Sequence, residues 1–229
     1  MKKMITQLVY FISLVVVLAF MGCHGTGTRV ENVVQEEDVL GPQSNRAKGE
    51  QHVLMIAVRF PDVQPSVPLE RIQKKVVEDL NRYVKEQSYG LTWVKADFRG
   101  WLTLPDPVSK YKVSPYNFKV DRSRIRKLIE DTMAAIEEEI DFSQYDHMLI
   151  IPGVFTRPGM GYGMICYCAN PGMLSGVRRK ARYETLKSKD GRTFQGGVFV
   201  GAENAHLGMC AHDFLHAMGG VHNGKRLVP

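Results

Sequence analysis

The chain has 229 residues, 44% hydrophobic and 24% charged, which allows one sizeable core and is short for two independent domains. Its formal net charge is +6, and Lys2 and Lys3 leave with the first segment discussed below, so the body carries about +4. That charge is too small and too dispersed for a nucleic-acid binder, and the one basic run, RRKAR at 178–182, reads as a solvated loop.

Residues 1–22 open with two lysines and run apolar from Leu8 to Met21 before Gly22 and Cys23. Such a segment directs export and is no part of the fold. A small residue directly before a cysteine resembles the bacterial lipobox, with Phe20 where leucine is usual, and that resemblance implies that Cys23 carries lipid. The mature protein is then a membrane-anchored lipoprotein facing the periplasm or the cell exterior. Residues 23–50 lack apolar periodicity and read as a flexible tether, leaving 51–229 as the single folded domain.

In that domain HVLMIAVRF (52–60) is a compact β-branched run halted by Pro61 and Asp62, as a buried strand would be. Ile72, Val76, Leu80 and Tyr83 recur at helical spacing and predict a helix over 69–86. Residues 88–104 alternate and read as strands punctuated by Gly90 and Gly100. A second amphipathic helix is expected over 121–140 with Asp121 as its N-cap, then a buried strand over 147–153. Gly159, Gly161 and Gly163 suggest a phosphate loop, but Pro171 and Gly172 block the helix such a loop must feed, so this stretch is read as loops. A last strand over 193–202 precedes a histidine-bearing helix. The alternation predicts an α/β (α+β) fold, a sheet covered by helices.

Cys166, Cys168 and Cys210 are the remaining cysteines. In an oxidising compartment Cys210 can pair with Cys166 or Cys168, leaving one thiol over.

The most informative stretch is CAHDFLHAMGGVHNG, 210–224. Residues four apart on a helix differ by about 40° around its axis, so His212 and His216 project from one face and can hold one metal ion. Gly219 and Gly220 let the chain leave the helix and turn, so that His222 can return as a third ligand. Three nitrogen ligands with an open fourth position suit a catalytic zinc (Zn2+) site. Cys210, two positions before His212, lies about 200° from it and is expected to face away from the metal.

HDFLHAMGGVH resembles the H-E-x-x-H-x-x-G-x-x-H signature of metzincin-type zinc peptidases, with Asp213 in the glutamate position. The order of VLMIAVRFPDV, SYGLTWVKADFRGWLTLP, DFSQYDHMLIIPG and the histidine helix is similar to the immune inhibitor A family of secreted bacterial metallopeptidases, over about residues 50–222. The resemblance implies a zincin-like N-terminal subdomain, a twisted mixed sheet covered by helices with the active-site helix near the C-terminus. It implies His212, His216 and His222 as zinc ligands, Asp213 as general base, and protein or peptide substrates. That family often has aspartate near the third-ligand position, whereas His222 fits the metzincin pattern. Seven residues follow His222, so the supporting C-terminal subdomain of that fold is expected to be missing. Two functions follow: an envelope-anchored zinc endopeptidase, or a catalytically weak or inactive zinc-binding lipoprotein that acts as a binding module.

Overall fold

The computed structural model describes residues 47–114, 121–157, 160–162, 165–168, 186–187, 191, 193–194, 196–219, 221–222 and 225–226. The export segment, Cys23 and the tether as far as residue 46 lie outside them, as does the basic run at 178–182.

The first strand, β1 (Gly49–Arg59), begins two residues inside the stretch read as tether. From Val53 to Val58 every side chain is fully buried, because β1 is an inner strand with both faces covered, where a continuous apolar run replaces alternation. It pairs in parallel with β2 (Thr92–Thr103) on one side and with β3 (His147–Pro152) on the other. Beyond β3 lies β7 (Gly197–Val200), also parallel, and the edge is formed by β4 (Ile165–Cys168), which is antiparallel to β7. The sheet order is therefore β2-β1-β3-β7-β4, a mixed sheet with four parallel strands.

Within residues 88–104, read as strands, one strand forms, β2 over Thr92–Thr103. Its ladder to β1 shifts register between Ile56 and Val58 as the partners move from Arg99 to Leu102, so Gly100 marks a bulge within one strand and not a break. The strand expected over 193–202 divides instead: β6 (Thr193–Phe194) pairs with β5 (Leu186–Lys187) outside the main sheet, and only β7 joins it. The short strand β4 falls in a stretch read as loops.

Two layers of helix cover the sheet. On one face α3 (Arg122–Ala134) packs Ile125, Leu128, Ile129 and Met133 against Leu54, Ile56, Met148, Ile150 and Val198. Asp121 caps it, accepting from the backbone N–H groups of Ser123 and Arg124. The helix ends six residues before the expected Ile140, where Glu137, Glu138 and Glu139 would place like charges at the negative end of the helix dipole.

The other face carries α1 (Leu69–Gln73), a π-helical segment (Lys74–Asp79), α2 (Leu80–Gln87) and the histidine helix α4 (Leu207–Gly219). Ile72, Val76, Leu80 and Val84 are all buried, yet a strict spacing of four drifts about 40° per step on an α-helix. The wider π-helical turn absorbs that drift and keeps all four against the sheet. Phe214, Ala211, Ala217 and Met218 of α4 join them in one cluster with Val53, Met55, Leu149 and Phe199. The last described elements are β8 (Val221–His222) and β9 (Lys225–Arg226), paired with each other.

Candidate metal centre on the histidine helix

Three contacts set where α4 lies. At the sheet, Gly197 has no room for a side chain: a Cβ there would come within 2.6 Å of the Ala217 Cβ. Further along, the Phe214 ring meets Phe199 at 5.8 Å between centroids and the edge of His147 at 5.6 Å. At the N-terminus, the Met209 N–H is shared between the His206 carbonyl at 3.1 Å and His206 Nδ1 at 3.3 Å.

The loop feeding α4 is held by the buried Glu203 and the half-buried Lys75. Glu203 is 1% exposed, and its carboxylate accepts from the Ser66 N–H at 2.9 Å, the Ser66 hydroxyl at 2.6 Å and the Val67 N–H at 3.1 Å. Lys75, on the π-helical segment, donates from Nζ to the carbonyls of Glu203 at 3.0 Å and Ala205 at 2.6 Å. Burial pushes the Lys75 amine below its ordinary value. The one sequence signal for Glu203 is an acid three residues past the end of an apolar strand. The π-helical turn that aims Lys75 leaves no residue-level mark.

Around the axis of α4, taking His212 as zero, His216 lies at about 40°, Asp213 at about 100°, Ala217 at about 140° and Phe214 at about 200°. Exposure falls from the histidine face to the core: His212 is exposed, His216 and Ala217 are each 9% and Asp213 6% exposed, and Phe214 is fully buried. Asp213 thus stands at the seam between the histidine face and the core.

The two imidazoles converge. His212 Nε2 and His216 Nε2 are 3.1 Å apart, with ring centroids at 4.6 Å and planes at 77°. Two nitrogens each about 2.0–2.1 Å from one tetrahedral zinc lie about 3.3 Å from each other, so this pair fits two positions of a zinc shell. Among the described residues no group of three His, Cys, Asp or Glu side chains gathers. The backbone of His222 is in β8, but its side chain lies outside what is described.

Asp213 Oδ2 is buried without a hydrogen-bond partner, and burial raises the Asp213 carboxyl to about 7. Cys210 is a free, buried thiol, so the bridge expected to Cys166 or Cys168 is not formed. Cys210 packs into the apolar cluster between α4 and the sheet, and the side chains of Cys166 and Cys168 lie outside what is described. Burial pushes the Cys210 thiol up to about 11, with Lys75 pulling it down and Asp213 adding to the rise.

No protein-family model matches the chain, and no curated protein matches it.

Proposed function

We propose that the chain is a zinc-dependent endopeptidase of zincin-like fold, exported and held at the cell envelope by lipid on Cys23. The observation that carries this reading is the 3.1 Å approach of His212 Nε2 to His216 Nε2 on a helix packed against a mixed sheet. His212 and His216 would hold the metal, with His222 as third ligand. Bound zinc supplies Lewis-acid polarisation of a scissile carbonyl and acidifies water. Asp213 is the general base: its carboxylate takes a proton from the attacking water and returns it to the leaving amine.

One observation favours the binding-module reading. Asp213 is only 6% exposed, and aspartate is one methylene shorter than the glutamate of the signature, a retraction of about 1 Å that can cost on the order of 10²-fold in rate. On that reading zinc binds and turnover is absent.

Zinc stoichiometry measured together with cleavage of casein, with and without chelator, tests both. One zinc per chain and chelator-sensitive cleavage support the peptidase. One zinc and no cleavage support the module, and no zinc at all sinks both.

A further inference from the structure

The turn that closes α2 carries a residue the fold does not use. The N–H of Gly90 donates to the Lys85 carbonyl at 2.8 Å and that of Tyr89 to the Glu86 carbonyl at 3.3 Å, the pattern in which the residue after the C-cap takes a left-handed conformation and is ordinarily glycine. Here that residue is Tyr89, with φ of 52°. A Cβ in this conformation crowds the following carbonyl, and the ring gains nothing in return inside the molecule, because Tyr89 is 95% exposed. Leu91, two residues on, is 58% exposed. An aromatic in a strained position with its whole ring in solvent points to an intermolecular role.

Its place in the fold says what it meets. Gly49 N–H donates to the Leu91 carbonyl at 2.8 Å, and the Thr92 hydroxyl donates to the Ala47 carbonyl. The turn therefore adjoins the first residues of the folded body, where the chain arrives from the N-terminal segment. Twenty-five residues separate Met21, the end of the apolar run, from Ala47. An anchor at Cys23 leaves about 24 residues of chain, at most about 85 Å fully extended, between the lipid and Ala47, so this is the end of the body that the lipid tethers. Tyrosine favours the membrane–water interface, ring inward and hydroxyl at the headgroups.

We infer that Tyr89 and Leu91 form a membrane-contact turn that seats the folded body on the lipid bilayer holding its N-terminus. The inference rests on the envelope-anchored reading above. Two side chains bind a free bilayer weakly, but the anchor makes the second contact intramolecular, and a weak contact then suffices. The occupant is the lipid surface itself.

The full chain is reconstituted in vesicles of phosphatidylethanolamine and phosphatidylglycerol with a bimane at Gln87→Cys, beside the turn, or at Gln64→Cys, beyond the opposite ends of the strands. The parent chain, treated identically, supplies the background from its own thiols. With nitroxide-bearing lipids, the probe at 87 loses most of its fluorescence and the probe at 64 keeps it. Adding Tyr89→Ser and Leu91→Ser restores the fluorescence at 87 while the circular dichroism of the chain is unchanged. A probe at 87 that responds to aqueous iodide as the probe at 64 does, or lipid quenching that persists without Tyr89 and Leu91, overturns the inference and leaves the anchor standing. A chain that fails to sediment with the vesicles overturns the anchor and the inference together.

Discussion

Gly197 and Ala217 meet where the histidine helix lies on the sheet, so close that a Cβ on Gly197 would stand 2.6 Å from the Ala217 Cβ and 2.8 Å from its Cα. The contact sits one residue beyond His216, so whatever moves Ala217 moves the histidine pair. Gly197→Ala should destabilise the protein by about 1–3 kcal/mol as an overpacked core does, and zinc stoichiometry should fall. In an Ala217→Gly background the same change should cost less, because part of the overlap is removed. Urea unfolding of the four members of this cycle reads the coupling directly. Independent effects would mean that the helix is not seated at this contact.

Cys210 should behave as an inert core residue. Its thiol is buried and pushed up to about 11, chiefly by burial, so the thiolate that alkylating reagents require is scarce at pH 8. Iodoacetamide should leave Cys210 unmodified in the native protein and modify it fully in urea, as read by peptide mass spectrometry. Cys210→Ala should retain zinc, since the side chain belongs to the sheet-facing cluster while His212 faces solvent. Loss of zinc from a folded Cys210→Ala protein would place the sulfur at the metal.

The cap of α3 gives a pH-dependent contribution of known sign. Asp121 accepts from the Ser123 hydroxyl at 2.7 Å, the Ser123 N–H at 3.1 Å and the Arg124 N–H at 3.3 Å. These bonds, the Ser123 hydroxyl foremost, hold its carboxyl below the usual range. A depressed native value contributes stability that is present above the unfolded carboxylate range and lost as pH falls through the native value. Asp121→Ala should therefore cost about 1 kcal/mol near neutral pH, and the gap to the parent should narrow below about pH 4. Asp121→Asn keeps a capping oxygen and should stay close to the parent at neutral pH. A gap for Asp121→Ala that is constant down to about pH 2 would show that ionisation of the cap contributes nothing.

The elements that could be read in the sequence are those whose signal is local. The run from Val53 to Val58, the spacing of Ile125, Leu128, Ile129 and Met133, the Asp121 cap and the HxxxH spacing each depend on a few consecutive residues. Where the reading failed, the deciding contact was distant in sequence. Gly100 looks like punctuation until β1 is laid beside it and the register shift makes it a bulge. Cys210 counts as an eligible disulfide partner until the fold shows its thiol free within the cluster between helix and sheet. Glu203 and Lys75 act through backbone groups 128 to 137 residues away, a relation that no window along the chain contains. The candidate site was legible for the opposite reason: four-residue spacing on a helix brings His212 and His216 together without help from the rest of the fold.

The sharpest test concerns His212, His216 and Asp213 together. The two imidazoles approach to 3.1 Å, a separation that suits a shared metal and equally a neutral imidazole donating to its neighbour, and the two cases part on metal addition. If zinc takes the pair, added zinc should raise the melting temperature in proportion to the logarithm of its excess over the dissociation constant. His212→Ala should abolish that rise while leaving the metal-free protein folded, because His212 is exposed and contributes little to the core. Asp213 is no ligand on this reading, so Asp213→Asn and Asp213→Glu should keep the zinc-dependent rise. They should differ in turnover. Asn cannot accept a proton at neutral pH and should lose casein cleavage, whereas Glu restores the missing methylene from the seam beside His216 and should raise it, by up to about 10²-fold where reach alone limits the rate. The measurements are melting temperature against zinc concentration and casein cleavage with chelator controls. A parent chain and an Asp213→Glu chain that both bind one zinc and both leave casein intact would retire the peptidase reading and leave the zinc-binding module in its place.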